Sequence, residues 1–547
     1  MKRWIVRGVQ GDVHAMQAET GLPSLPVKLM AVRGIPVEEM KDFYDGEGPA
    51  LHDPMFLSGM RTACALLDEA MRAGTKVRIM ADYDADGVCA AAILHRALTD
   101  LSVSVDVVVP HRIRDGYGMQ VRMADAAAED GIGLIITCDN GIAAHEAVAA
   151  AKAHGIHVIV TDHHQVPRDE TGAEYLPPAD VVIDPHQTAC RYPFPEICGA
   201  YVAYQLMEGL HRYLERPMLQ REDLRMLAGL ATVCDVMPLV NENRRLTMHA
   251  VRQFGISELP GIVALRAVFN LQPDGIDAAT FGFKIGPTLN SAGRLADATV
   301  AVQLLTETDR NICNVLAQEL YELNAERKRL TEAAQTVAEH LIETTDRSGD
   351  DVLVLHLPDV HESLAGIVAG RLKERYYRPV LVFTDGAEGL KGSGRSIEDY
   401  NLFEALTAVG HLFTRYGGHA AAAGFSAEPE RLSAIRTAIN EGAGLTEEQK
   451  MPKLMIDQPM RFSYWNEETV QEVERLAPFG TGNAEPVFAV KNVRIVSKRR
   501  MGRDGQFLKM RVDDGTAILE AVCFRETEML TPFLAGDRPV DIAYTVS

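Results

Sequence analysis

Four short apolar runs, each closing on an acidic or imidazole side chain, constrain this chain more than any other feature. Lys76-Val77-Arg78-Ile79-Met80 leads into Asp82-Tyr83-Asp84-Ala85-Asp86-Gly87. Leu134-Ile135-Ile136-Thr137-Cys138 leads into Asp139-Asn140-Gly141, and His157-Val158-Ile159-Val160-Thr161 into Asp162-His163-His164. Val181-Val182-Ile183 ends at Asp184-Pro185. The runs read as buried strands, and helical patterns such as 142–153 separate them. Strand–helix alternation implies right-handed crossovers and a parallel sheet. In such sheets ligands bind at the carboxyl ends of the strands. Asp82, Asp84, Asp86, Asp139, Asp162, His163 and His164 are therefore expected to converge. Asp235 follows a helical run at 222–231 and is expected to join them.

Three carboxylates within five residues repel one another unless water or cations surround them. A single acidic turn or helix cap would account for any one of them, but not for four strand ends. Mixed carboxylate and imidazole donors suit Mn²⁺ or Mg²⁺, with Zn²⁺ as an alternative. The donors outnumber the needs of one ion, so two ions are expected. Two-metal sites carry out phosphoryl chemistry by activating water and stabilising the attacking and leaving oxygens.

Composition narrows the setting. The chain has 547 residues, enough for about three or four domains, with 47% hydrophobic and 24% charged residues. None of the eight cysteines forms a CxxC pair; they read as reduced structural thiols of a cytoplasmic protein. Met1-Lys2-Arg3-Trp4-Ile5-Val6-Arg7 lacks a signal-peptide core, and no run reaches membrane-spanning length. A net charge of −21 argues against a generally basic nucleic-acid coat but leaves room for a local basic groove.

The pattern changes along the chain. Residues 1–48, with Pro23, Pro26 and Pro36, are expected to lie as an extension on the first domain, which covers 49–308. A connecting helix is expected over 309–345, with an apolar stripe of Leu316, Leu320, Leu323, Leu330, Ala333, Val337 and Leu341. A second α/β domain covers 346–454, with strands at 352–356 and 379–383 around a helix over about 362–376. Two glycine-rich segments, Lys391-Gly392-Ser393-Gly394-Arg395-Ser396 and Tyr416-Gly417-Gly418-His419-Ala420, read as loops. Arg371, Lys373, Arg375 and Arg378 read as a solvated face of that helix. Residues 455–547 carry short strands spaced as in a small β-barrel, and Lys498, Arg499, Arg500 and Arg503 are expected in a nucleic-acid-binding hairpin there.

The ordered set of motifs resembles RecJ exonucleases, the single-strand-specific 5′→3′ members of the DHH phosphoesterase superfamily. It comprises the segments above together with His111-Arg112-Ile113-Arg114-Asp115-Gly116-Tyr117-Gly118, Cys198-Gly199-Ala200 and Ala231-Thr232-Val233-Cys234-Asp235-Val236-Met237-Pro238-Leu239. Leu289-Asn290-Ser291-Ala292-Gly293-Arg294-Leu295, Gly417-Gly418-His419 and Pro478-Phe479-Gly480-Thr481-Gly482-Asn483 complete it. The resemblance implies a DHH domain with a parallel sheet, a long connecting helix, a DHH-associated α/β domain and a C-terminal OB-fold β-barrel. It implies release of 5′-mononucleotides from single-stranded DNA with Mn²⁺ or Mg²⁺, in DNA repair and recombination. Asp82, Asp84, Asp86, Asp139, His163 and Asp235 would be the metal ligands, with Asp84 and Asp139 central to catalysis. His164 would stabilise the scissile phosphate. Arg112 and Tyr117 would contact the strand near its 5′ end. Arg294, Ser393 and Arg395 would hold the terminal phosphate, and His419 would reach substrate from the second domain. A monomer working with single-strand-binding protein and a helicase is implied, with no membrane.

Several positions depart from the family pattern. Ala81 stands where Gly is frequent, Asp184-Pro185-His186 replaces Asn-Pro-Asn, and Asp359–Gly366 differs from the usual His-x-Gly-Val-x-Gly loop. The β-region stops at Ser547, where one or two further strands would be expected, as in a truncated chain or a short variant. Two rivals remain: a DHH phosphodiesterase of short RNA, cyclic dinucleotides or a bisphosphorylated nucleotide, and a silent DNA-binding subunit. The first is disfavoured by chain length and the β-region, the second by the filled ligand positions.

Overall fold

The computed structural model describes residues 2–9, 11–46, 51–345, 347, 349–387, 389–502, 505–524, 533 and 538–546. The chain forms two compact units: His52–Met237 with Leu246–Pro452, and Met1–Leu51 with Pro238–Arg245 and Lys453–Ser547.

The larger unit begins with the expected parallel sheet. Its strands run in the order Val105–Val108, Val77–Ala81, Leu134–Cys138, His157–Thr161, Val181–Ile183, all parallel. Val77–Ala81 and Leu134–Cys138 are buried at every position, as expected where helices cover both faces. The chain leaves Val77–Ala81 for one edge, then returns to its other side at Leu134–Cys138. That reversal is a topological switch point, where an open α/β sheet leaves a crevice. Helices Ala85–Asp100 and Gly199–Tyr213 are almost wholly buried behind it.

Helix Arg310–Thr344 is capped by Asp309, whose carboxylate accepts from Asn311 N at 2.7 Å and Ile312 N at 3.2 Å. Its buried face departs from the expected stripe. Leu316 and Leu320 are buried, but further along the inward positions are Asn324, Arg327, Thr331, Ala334, Ala338 and Ile342, while Val337 is exposed. The middle of this helix faces polar groups rather than an oily core, so its hydrophobicity misreports its orientation.

Beyond it, five strands run in the order Arg415–Gly418, Ala422–Ala427, Gly389–Arg395, Val380–Gly386, Leu353–His356; the last two are parallel and the rest antiparallel. Helix Glu362–Tyr376 packs on them. The two glycine-rich segments are thus strands for most of their length, not loops. Glycine is rare inside strands unless another group approaches closely, and Phe425 fills that role against Gly392 and Gly394. Arg375 pairs with Glu339 at 3.0 Å, and Arg371 donates to Gln335 at 3.4 Å. These contacts tie the helix to its neighbour, in keeping with a structural face.

The smaller unit corrects the reading of residues 1–48. Arg3–Val6 pairs in parallel with Lys453–Ile456. Val27, Leu29, Met30, Met40, Phe43 and Tyr44 share a core with Val473, Leu476 and Phe488. The N-terminal helices therefore share a core with the C-terminal segment and belong to its compact unit. Arg244 joins the two by donating to the carbonyls of Phe43 and Leu476 at 3.0 and 2.9 Å. The β-region is a sheet in the order Gln458–Pro459, Phe488–Met501, Phe507–Asp513, Ile518–Cys523, with Val540–Tyr544 also on Phe488–Met501. Register shifts at Ile495/Ser497 and Val490/Val493 bend the long strand. Among the described residues the sheet is a curled half-barrel, in keeping with the incomplete β-barrel expected. Arg503 lies outside the described residues; Lys498, Arg499 and Arg500 are exposed on the long strand.

Candidate active site

The crevice at the switch point is lined from four places in the sequence. Asp82 and Asp84 follow Val77–Ala81, and Asp84 caps the next helix by accepting from Asp86 N at 2.9 Å and Gly87 N at 3.2 Å. That cap turns Asp86 inward on the first helical turn. Asp139 follows Leu134–Cys138 in a left-handed conformation, φ 59°. His163 follows His157–Thr161, and Asp235 ends helix Arg221–Cys234.

These side chains converge. His163 Nε2 lies 3.1 Å from Asp139 Oδ1 and 3.6 Å from both Asp86 Oδ2 and Asp235 Oδ2. Three overlapping groups offer donor atoms all within 4.8 Å of one another: Asp139 with His163 and His164; Asp86 with His163 and Asp235; Asp82 with Asp84 and Asp139. Burial, reinforced by neighbouring carboxylates, pushes the Asp82 and Asp139 carboxyls well above the usual range and Asp235 to about 9. Asp86 is also raised, first by burial, against the pull of His163 and the amides of Gly199 and Ala200. Those amides donate to its two oxygens at 2.7 and 2.8 Å. Residue 199 must be glycine here, because a Cβ would stand 2.7 Å from Asp139 Cβ.

The donor set fits divalent cations. Asp82 Oδ1, His163 Nε2 and Asp235 Oδ2 are buried without hydrogen-bond partners among the described residues. Buried polar atoms are ordinarily paired, and unpaired anionic oxygens packed together are costly unless a cation neutralises them.

Asp162 serves differently. Its Oδ1 accepts from His163 N at 2.8 Å, His164 N at 3.2 Å and His164 Nδ1 at 2.7 Å, and its Oδ2 from Ile142 N at 2.9 Å. Both oxygens are consumed, so Asp162 orients the histidines. Burial opposes charge on His164, yet the Asp162 hydrogen bond prevails and raises its pKa to about 9. Tyr117 is half exposed; its hydroxyl donates to the Asp139 carbonyl at 2.9 Å and lies 3.2 Å from His164 Nδ1. Arg112 lies over the Tyr83 ring at 4.7 Å.

A second cluster is cationic. Arg294 Nη1 donates to the Ser363 carbonyl at 2.9 Å, and Ser363 Oγ donates to the Arg294 carbonyl at 2.9 Å. Arg395 Nη1 donates to Ser393 Oγ at 2.9 Å and Gly394 O at 2.7 Å. Gly366 lets this pair approach the helix, since a Cβ there would stand 2.8 Å from Arg395 Nη2. Both guanidiniums thus gather on the first turns of Glu362–Tyr376, whose dipole adds positive potential. Burial, then Arg112 and Arg327, lowers Arg294 to about 10; burial and then Arg112 lowers Arg395. Desolvated guanidiniums with free N–H donors are suited to an anion such as phosphate. His419 is exposed at the hairpin turn between Arg415–Gly418 and Ala422–Ala427.

Three contributors escaped the sequence reading as functional residues. Asn290 Oδ1 accepts from Ala85 N at 2.8 Å, fixing the acidic turn. Asn140 Nδ2 donates to Met80 O and Cys138 O at 3.0 and 2.9 Å, stitching the two central strands at their ends. Arg327, buried on the connecting helix, directs Nε and Nη2 to Asn324 Oδ1 at 3.1 and 3.0 Å and has no ion pair among the described residues. A buried arginine without an acid is the signal, and it needs the structure to be seen.

Comparison with known proteins places this architecture. The DHH family N-terminal domain matches residues 76–232, the DHHA1 domain 349–444 and the RecJ OB domain 456–547. Together these define a DHH–DHHA1 protein carrying an OB domain. The single-stranded-DNA-specific exonuclease RecJ of Escherichia coli K12 is 35% identical over 550 residues, covering 96% of this chain and 92% of that protein. Its Bacillus subtilis namesake is 32% identical over 544 residues, covering 98% and 67%. The crystal structure of RecJ in complex with Mn²⁺ from Thermus thermophilus matches with TM-score 0.84 at 29% identity, over 100% of this chain and 76% of that one. The chain belongs to the RecJ family.

Proposed function

We propose that this chain is a metal-dependent exonuclease that hydrolyses single-stranded DNA from the 5′ end and releases 5′-mononucleotides. The carrying observation is the pairing of three overlapping donor groups at the switch point with a desolvated guanidinium cluster on the same unit. Asp82, Asp84, Asp86, Asp139, His163 and Asp235 would hold Mn²⁺ or Mg²⁺, two ions in all. Bound there, such ions would supply activated water and offset negative charge at the reacting phosphate.

This chain's own residues do the positioning. Arg294, Arg395 and Ser393 hold the terminal 5′-phosphate, so the bond presented to the carboxylates lies one nucleotide in. Arg112 and Tyr117 guide the strand near that end. His164, kept cationic by Asp162, offers Nε2 to a non-bridging phosphate oxygen, where charge grows during attack. The hydroxyl of Tyr117 is engaged by the Asp139 carbonyl, which holds its ring beside His164. His419 contacts substrate from the second lobe. The match to a RecJ OB domain over 456–547, with Lys498, Arg499 and Arg500 exposed on it, favours a polymeric substrate.

No helix among the described residues is long and apolar enough to cross a membrane. A monomer acting in the cytoplasm in DNA repair and recombination, with single-strand-binding protein and a helicase as partners, completes the reading. The test is direct: protein with Mn²⁺ and a 5′-labelled oligonucleotide releases labelled mononucleotide. A label that stays at full length under Mn²⁺ and Mg²⁺ overturns the proposal. Faster turnover of a dinucleotide than of a long oligonucleotide would instead favour a phosphodiesterase of short substrates.

A further inference from the structure

Among the exposed aromatics that the site above does not use, Phe283 stands out by its backbone. Phe283 is 73% exposed, in a π-helical turn, Phe281–Ile285, that runs into helix Gly286–Leu295. π-turns are rare and concentrate at functional sites. This one packs on the last turn of the helix that presents Asp235. Cys234 Sγ donates to Phe281 O at 3.9 Å, and a Cβ on Gly282 would stand 3.7 Å from Val233 Cγ1. Val236, immediately after Asp235, is 66% exposed and left-handed, φ 60°. A β-branched residue in that conformation is strained. Two apolar side chains are thus held in water on unusual backbone, both against the end of the metal-binding helix. Lys284, next to Phe283 in the sequence, is also exposed.

The helix that follows supplies a ruler. Arg294 lies at its far end, at the phosphate cluster. Asn290, one turn back, anchors the acidic loop, and Gly286 abuts Cys234. Phe283 is therefore about 16 Å from Arg294 along the axis, at ~1.5 Å rise per residue. A strand whose first phosphate sits at Arg294, and which passes the carboxylates, covers that span in roughly two to four nucleotides, each advancing more than the ~3.4 Å of stacked duplex. An exposed aromatic beside a lysine is the element that single-strand grooves use, the ring stacking a base and the ammonium meeting phosphate.

We propose that Phe283 and Val236 form an apolar ledge that takes an unstacked base of the strand on the 3′ side of the scissile bond, with Lys284 on the adjoining phosphate. The inference rests on the single-strand exonuclease reading. It assigns Phe283 a positioning role, selecting bases that are not paired in a duplex.

The test uses the full chain with Mn²⁺ and 5′-phosphorylated oligonucleotides of two to twelve nucleotides. For Phe283→Ala, KM for the longer substrates should rise on the order of tenfold more than KM for the dinucleotide, the scale of one lost base stack. Phe283→Trp should restore the wild-type ratio, and Phe283→Leu should not. An equal loss at every length, or full rescue by leucine, overturns the ledge. A wild-type chain with no turnover would fail the exonuclease reading itself. The ledge is then still read by Phe283→Trp in an Asp139→Ala background, where added oligothymidylate should quench the new tryptophan relative to Asp139→Ala alone. An unchanged emission at saturation rejects it.

Discussion

His164 Nδ1 donates to Asp162 Oδ1 at 2.7 Å, and this bond leaves Nε2 uncommitted to the carboxylate, 3.3 Å from the Tyr117 hydroxyl. Because Asp162 Oδ2 is already committed to Ile142 N, the carboxylate cannot rotate away. Asp162→Asn and His164→Ala should each lower kcat by roughly 10²–10³, the usual cost of losing one preorganised charge-stabilising group. The double variant should be no slower than His164→Ala, since Asp162 acts through His164. Additive losses in single-turnover kinetics would disprove that route.

Asp139 belongs to two of the three donor groups. Asp139→Ala should abolish hydrolysis and reduce the Mn²⁺ stoichiometry seen by titration calorimetry, while DNA binding stays measurable through the guanidinium cluster. Chelation of the wild type with EDTA should reproduce the loss, and added Mn²⁺ should reverse it. Retained turnover in the alanine variant would refute the ligand assignment.

Arg294 and Arg395 both lie against the first two turns of helix Glu362–Tyr376, and the charge of Arg327 acts on Arg294. Arg395→Lys should lose most of the preference for 5′-phosphorylated over 5′-hydroxyl ends, because an ammonium cannot reproduce the guanidinium fork. Loss of one charge-assisted hydrogen bond, about 1.5–3 kcal/mol, corresponds to a roughly 10- to 100-fold change in that ratio. Arg327→Ala should move the ratio in the same direction by less. Competition between the two labelled ends in one reaction measures it.

Asp115 clamps the segment that carries Arg112 and Tyr117. It accepts from His111 N at 2.7 Å and from Arg114 at 3.0 Å, and also pairs with Arg122. The hydrogen bond from Arg114, against some burial, holds its pKa down at about 2, below its ordinary 3.8. A depressed carboxylate stabilises the folded segment above its unfolded pKa, and that contribution fades as pH falls through the folded value. Exchange of the His111 amide should therefore be slow at pH 5 and accelerate between about 4 and 2. In Asp115→Asn it should already be fast at pH 5.

The strand-end acids were legible because each follows consecutive apolar residues, and the sheet topology brings such ends to one crevice. The connecting helix was legible in length but not in facing, since Asn324, Arg327 and Thr331 occupy inward positions that apolar periodicity assigns to solvent. Gly389–Arg395 looked like a loop because its glycines answer to a phenylalanine on the next strand, Phe425, a contact with no local trace. Asp162 was grouped with its neighbours by motif, and only its four donors reveal that it steers rather than ligates. The pairing of Arg3–Val6 with Lys453–Ile456 was equally invisible, because nothing in either segment names its partner.

That last pairing bears on how the chain is made. Met30, Met40 and Phe43 leave the ribosome first, yet Val473, Leu476 and Phe488, which cover them, are translated near the end. Their oily faces wait through most of synthesis, a long-range closure that slows folding and invites aggregation. An excised fragment beginning at Lys453 would meet the converse problem, displaying a half-core with no lid. Anyone wishing to study the curled sheet alone should splice the opening helices onto it.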